Sequence, residues 1–442
     1  MTVRTEAISN LRSRLSLLAI VGIQFGGGLL GFLTWAGLSH AASGRVVELG
    51  AHILAIGMLI YLPLTLGLPF LLPNFFRQNE VNGAAMANAA YSIRTIAVAS
   101  LAAQVVGLIL AAVGSGNGWP TNYAGPALVF GGLICAGSTL QQMARIENRV
   151  GLMILGSSYN VSLPLVTLMC VRFTDSGLGL PVMISAGLAS LGVIQVLLCL
   201  RTVQRFDISH ESRAEVRHVL ATSLPLVPHL LAFGVLTQGL RIPTMFGSST
   251  ESTLTAHFTM LFVGLSLAVV TGINSVLAVT IQRAAEDQVG SVLTLMSWAY
   301  GALGLLASAA LMCVYRSPVR NLFDGAPQFS RIEIALLAFI PSAFCSYFFL
   351  SSLMIRYRRT WGLLCSSGPV AIGYAALAIW AERSGTDVQL QMEVYAVSLL
   401  ALPVLVFGFA VVQTPFHFRA LLLSSLRVLC GFAPCLIVAF WP

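Results

Sequence analysis

"SLPLVPHLLAFGVLTQGLRIPTMFGSSTESTLTAHFTMLFVGLSLAVVTGINSVLAVTIQRAAE" occupies residues 223–286. It holds two apolar runs, 221–246 and 254–281, joined by a short turn of serine, threonine and one glutamate. Each run is long enough to cross about 30 Å of hydrocarbon as a helix. A single charge, Arg241, interrupts the first run near its end, two residues before Pro243. The segment therefore reads as a membrane-spanning helical hairpin with one arginine to be explained.

The same pattern fills the chain. Of 442 residues 57% are hydrophobic and only 9% charged, against about 25% charged in soluble domains. The mean hydropathy is +0.86. Apolar runs fall at 15–38, 49–73, 94–114, 124–143, 151–171, 180–200, 221–246, 254–281, 290–315, 333–355, 361–381 and 392–413. The expected fold is an all-α polytopic membrane protein of twelve transmembrane helices. A further run, 420–440, carries Arg427 at its middle; it is either a thirteenth span or a helix packed on the bundle. "SHA" at 39–41 follows a run too long for a signal-peptide core, so the first span is read as retained.

All 24 basic residues are arginine. With the N-terminus inside, 16 of them fall on the inner side and 6 on the outer, while Arg241 and Arg427 stay in spans. This is the positive-inside asymmetry of a multi-pass protein with a cytoplasmic N-terminus. Trp35, Trp119 and Trp380 then fall at the outer interface, Trp361 falls at the inner one, and Trp298 reads as internal packing. No basic block with interleaved aromatics exists, so no nucleic-acid partner is expected. The eight cysteines form no CxxC pair and read as small hydrophobes. "QFGGGLLG" (24–31) follows no strand and is no nucleotide loop; its glycines allow either close helix approach or bending of the first span. No metal site and no cofactor is expected.

The loop 201–218 splits the spans six and six, and an amphipathic interfacial helix is expected within it. Ala51, His52 and Gly67 match Ala256, His257 and Gly272 at one offset of 205. Six is even, so both halves start on the same side and the repeat is parallel. Transporters so built rock two lobes about a site between them. The expected organisation is an N-terminal six-helix lobe (1–200), a cytoplasmic linker (201–220), a C-terminal six-helix lobe (221–414) around a central cavity, and an additional hydrophobic helix (415–442).

The proline-containing span, the arginine near its outer end, the short loop and the long following span in 223–286, together with "LGLPFLLPNFF" (66–76), resemble the polysaccharide (O-antigen and exopolysaccharide) flippases of the multidrug/oligosaccharidyl-lipid/polysaccharide exporter superfamily. Leu240 departs from the acidic residue that often precedes the arginine there. The resemblance implies a bacterial inner-membrane transporter. It would flip a polyprenyl-pyrophosphate-linked oligosaccharide, with membrane lipid and other polysaccharide assembly proteins as partners. Two alternatives stand beside it. One is an integral-membrane polymerase or ligase, disfavoured by the shortness of the longest outer loop (316–331). The other is a drug or metabolite antiporter of the same fold.

None of the sixteen acidic residues sits at the middle of a span. Ion-coupled antiporters usually need such a carboxylate. An acid-free cavity with arginine suits an anion, because guanidinium matches phosphate oxygens with paired donors. Arg241 leads the candidates, either facing the cavity or snorkelling to the outer headgroups. Arg94 and Arg77, at the inner ends of spans three and two, are candidates that also read as interface anchors. His229, His257, Gln24, Gln238 and Asn274 complete the substrate-binding set as donors and acceptors for sugar hydroxyls, or else bond between helices. No catalytic residue is assigned.

Overall fold

The computed structural model describes residues 2–76, 83–114, 121–147, 149–173, 179–204, 216–245, 249–284, 286–316, 322–323, 329–357, 359–384, 388–416 and 418–435. Over these residues it is all-helical. The first group is α1 (Thr2–Ala41), α2 (Gly44–Leu64), α3 (Leu68–Phe75), α4 (Gly83–Gly114), α5 (Thr121–Glu147), α6 (Val150–Ser157), α7 (Tyr159–Val171) and α8 (Leu180–Val203). The second is α9 (Val216–Ser223), α10 (Leu226–Gln238), α11 (Arg241–Thr244), α12 (Thr250–Arg283), α13 (Val289–Arg316), α14 (Arg331–Arg356), α15 (Thr360–Arg383), α16 (Val388–Gln413) and α17 (Phe418–Leu429). Among the described residues twelve helices are long and apolar enough to cross a membrane, and the pair α6–α7, bent by 44°, makes a thirteenth when taken as one span. The last of the twelve is Phe418–Cys435, packed on α13. Most of the expected linker, 205–215, lies outside the described residues.

Each group is built round one buried helix. In α5 and α14, 78% and 83% of the apolar window is buried, against 28–53% in the other spans. α5 packs on α2, α4 and α8; α14 packs on α12, α13 and α16. Ser330 caps α14 through a reciprocal pair of bonds with Glu333, which satisfies amides that a helix start otherwise leaves unpaired.

The seam between the groups is made by α1 on α12 and by α2 on α10 and α12. We call the side where α1 begins proximal and the side where it ends distal. Gly28 faces Ala268 so closely that a Cβ there would lie 2.7 Å from it, and Gly31 backs onto the Asn160 carbonyl. The glycine run therefore serves close approach: α1 stays one unbroken helix, wedged between α7 and α12. Towards the distal side, Phe32 meets Phe262 edge-on, Trp35 meets the His257 ring at 4.4 Å, and Thr250 donates to Glu48 at 2.8 Å. Trp35 is thus buried in the seam and is not at a membrane interface. Conversely Trp298, expected to be internal, is 58% exposed and lies beside Arg427, whose guanidinium sits 5.5 Å from its ring centre. An indole needs a neighbour on only one face to be fixed, so hydropathy alone does not place it.

Three spans expected to be continuous are interrupted. Span two breaks after Leu64, where Leu66 and Gly67 take positive φ of 50° and 70°. Span five bends at Ser158. Span seven breaks at Leu224–Pro225 and again at Gly239, whose φ is +42°. Gly272, the counterpart of Gly67 at the 205 offset, lies inside the unbroken α12. The two glycines therefore stand in unlike backbone settings.

Replacing Gly31 with valine drives a side chain into the α7 backbone. We expect a loss of about 1–3 kcal/mol, read as a lower melting temperature of the detergent-purified protein. Gly26→Val, at a position with open space around it, is expected to leave melting near wild type.

Candidate functional site

Between the two groups lies a cavity of about 440 Å³. At its distal end are Trp35, Thr237, Gln238 and Arg241; at its proximal end are Pro73, Arg145, Gln282 and Ile355, near the ends of α3, α5, α12 and α14. Beyond Trp35 the seam is packed, so the cavity stops there. Among the described residues its lining includes Arg145, His229 and Arg241 and no aspartate or glutamate.

The break in span seven sets Arg241. α10 ends at Gln238, Gly239 turns the chain, and Arg241 opens the single turn α11. A Cβ at residue 239 would lie 2.6 Å from the Tyr395 ring, and positive φ strains any residue but glycine. The turn leaves the Leu236 carbonyl for Tyr395, whose hydroxyl donates to it at 2.6 Å. Arg241 is only 7% exposed. It therefore faces the seam, not the outer headgroups. Nε donates to His257 Nδ1 at 3.2 Å, Nη1 to Gln238 Oε1 at 3.2 Å, and Nη2 to the His257 carbonyl at 3.4 Å. Arginine only donates, so His257 Nδ1 accepts and the proton sits on Nε2, which is buried with no partner.

A second arginine lies at the other end. Arg145 is 8% exposed. Its Nη2 donates to Gln24 Oε1 at 3.1 Å and to Gln141 Oε1 at 3.4 Å, while Nε is buried without a partner. Arg145 follows the apolar run 124–143 in a short charged stretch with Glu147 and Arg149, which counts it among the 16 arginines of the inner side. The signal that identifies it is polar spacing: Ser138, Gln141, Gln142 and Arg145 recur on one helical face, and all four line the cavity. Among the described residues only two salt bridges form, Arg149–Glu147 and Arg356–Glu286. Neither cavity arginine is in one. Arg356, another of the arginines that fall on the inner side, is buried; it bonds the Ile281 and Gln282 carbonyls and so ties α14 to the proximal end of α12.

His229 also lines the cavity, but both its nitrogens are committed. Ser367 spends its proton on the Leu363 carbonyl, so it accepts from Nδ1 at 2.7 Å; Nε2 then accepts from the Tyr347 hydroxyl at 2.7 Å. Asn274 lines the cavity and accepts from Tyr300 at 2.5 Å. Of the sequence candidates, Gln24, His229, Gln238, Arg241 and Asn274 are brought to this cavity, and His257 stands behind Arg241. Arg94 is exposed on α4 and lies away from it. Its apolar neighbours gave no clue to which helix face it occupies. Arg77 lies outside the described residues. Both groups give polar and aromatic lining. The first offers Gln24, Gln141, Arg145 and Asn160 with Trp35 and Tyr159; the second offers Gln238, Arg241 and Asn274 with Phe233 stacked on Tyr347 at 4.9 Å and Phe348 beside them.

No family model matches the sequence, and no curated protein does. Solved structures do match. The eukaryotic MATE transporter AtDTX14 superposes with a TM-score of 0.60 at 15% identity, over 95% of this chain and 99% of its own. The MATE multidrug transporter DinF-BH gives 0.55 at 13%, over 94% and 98%. The Vibrio cholerae MATE transporter VcmN gives 0.54 at 13%, over 97% of both. The chain is a multi-pass membrane protein with the MATE transporter fold.

His229→Leu strands the Tyr347 hydroxyl. We expect a stability loss of about 1–3 kcal/mol from the unpaired buried group, visible as a lower melting temperature. Tyr347→Phe in the same background should restore part of it, since removing both partners removes the unpaired donor.

Proposed function

We propose that this chain is a transporter that moves an anionic, lipid-linked oligosaccharide across the membrane by alternating access. One observation carries this reading: among the described residues, the cavity between the lobes is lined by two buried arginines and no carboxylate. A buried charge without a counter-ion is costly, and a substrate that brings the opposite charge offsets that cost. A polyprenyl pyrophosphate linked to an oligosaccharide has the required parts. Its phosphates match guanidinium. Its sugars offer hydroxyls to the glutamines and asparagines of the lining and ring faces to its aromatics. Its tail stays in lipid while the head crosses.

Under this reading the membrane is a bacterial inner membrane and the proximal side is cytoplasmic. The cargo feeds surface polysaccharide, O-antigen or exopolysaccharide, alongside other assembly proteins. The lobes bind and rock and carry out no covalent chemistry, so the chain is no enzyme. The seam at Trp35–His257 and Glu48–Thr250 must part for the cavity to face the distal side.

A drug antiporter is the second reading. The aromatic wall of Phe233, Tyr347 and Phe348 favours it, as does the fold shared with DinF-BH, a multidrug transporter. A deletion strain separates the two. Accumulation of lipid-linked oligosaccharide on the inner leaflet supports the flippase; drug sensitivity with an unchanged leaflet distribution supports the antiporter.

Hydrogen bonds to charged groups contribute about 1.5–3 kcal/mol, or about 10- to 150-fold. Arg241→Ala and Arg145→Ala are each expected to lower surface polysaccharide by at least about 10-fold at equal expression, with Arg241→Lys retaining part of the activity. Full activity in Arg241→Ala would reduce that residue to a structural partner of His257.

A further inference from the structure

We infer that the transported glycan carries its own acidic group, a carboxylate or phosphate on a sugar some way from the pyrophosphate, and that Arg241 with Gln238 forms the subsite for it. The inference rests on the proposed function and adds the chemical class of the sugar.

The partners of the two arginines are spaced along α1 by more than the length of one pyrophosphate. Arg145 bonds Gln24, and Arg241 bonds the imidazole that packs on Trp35. Gln24 and Trp35 are eleven residues apart on the unbroken α1, about 16 Å at 1.5 Å per residue. A pyrophosphate is far shorter. It is joined directly to the polyprenyl tail, and the tail lies in lipid, so it stays near the proximal end of a cavity closed on the distal side. Arg145 is there, near the last turn of α5, with Nη1 making no hydrogen bond. Only the glycan reaches the closed end.

At that end the donors exceed the acceptors. A guanidinium has five N–H groups, and Arg241 places one hydrogen bond from each of its three nitrogens, which leaves two. Gln238 gives its oxygen to Arg241, and its amide nitrogen bonds nothing. Both residues line the cavity and are more than nine-tenths buried. The acceptors that Arg241 has found are an imidazole nitrogen, an amide oxygen and a carbonyl, all neutral. Sugar hydroxyls would fill the spare donors but leave the positive charge uncompensated. A carboxylate or phosphate does both, and a forked guanidinium suits either.

The test uses full-length protein in nanodiscs. Two synthetic probes share one polyprenyl pyrophosphate and one tetrasaccharide length; they differ only in a terminal glucuronic acid against a terminal glucose. Wild type is expected to bind the acidic probe at least about 10-fold more tightly, as one charged hydrogen-bonded contact implies. Arg241→Gln should collapse that ratio towards one. Arg241→Lys should keep part of it. Arg145→Gln should weaken both probes and keep the ratio. Each variant is first checked for monodispersity and melting, so that a misfolded sample is not scored. Equal binding of both probes by wild type overturns the inference while leaving the flippase reading intact. So does a ratio that survives in a folded Arg241→Gln. Failure of wild type to bind either probe overturns the flippase reading itself.

Discussion

In hydrocarbon, a backbone amide or carbonyl released from its helix has no water to turn to. That constraint decides where this bundle can break, and the breaks decide where its function can sit. At Gly239 the released Leu236 carbonyl is taken by the Tyr395 hydroxyl. At Ser158 the Leu155 and Gly156 carbonyls are taken by the side-chain amides of Gln195 and Gln141. At Thr65–Gly67 the Thr65 hydroxyl donates to the Leu62 carbonyl and accepts from the Gly67 amide. Two of these breaks deliver polar cavity residues directly: Gln238 and Arg241 flank one, and Tyr159 and Asn160 follow another.

The second governing feature is charge. A guanidinium inside a bundle normally finds an acid, and Arg356 does so with Glu286. Arg145 and Arg241 make do with amides, an imidazole and a carbonyl. Such partners hold the side chain in position without neutralising it. The cavity is therefore organised but electrically incomplete, which is the condition expected of a site that receives an anion from outside. His229, by contrast, is complete: two neutral partners fix its tautomer and leave it nothing further to bind.

Legibility in the sequence followed from periodicity and average composition. Twelve runs and the extra terminal helix can be read because hydropathy averages over twenty residues and tolerates local error. Arg241 stands out because a single charge in an apolar run is conspicuous. Arg145 does not, because Glu147 and Arg149 follow it closely and its helix continues past the apolar run to Glu147. The stripe at 138, 141, 142 and 145 is visible only once the helix is known to reach that far. Trp35 and Trp298 show the same limit. Both sit in apolar runs; one is buried in the seam and the other faces outward beside Arg427.

The sequence by itself determined that this chain crosses the membrane many times as helices and that no carboxylate lies at the middle of a span. These follow from the cost of placing polar groups in lipid, which acts on each segment separately. Only the tertiary structure decided which way each polar side chain points. Arg241 turns inward because Gly239 breaks the helix just before it and His257, on another helix, receives it. Arg145 enters the cavity because Gln24, far away in the chain, stands opposite. Those outcomes depend on pairs of helices meeting at particular angles, and no local property of either helix records where its partner will lie.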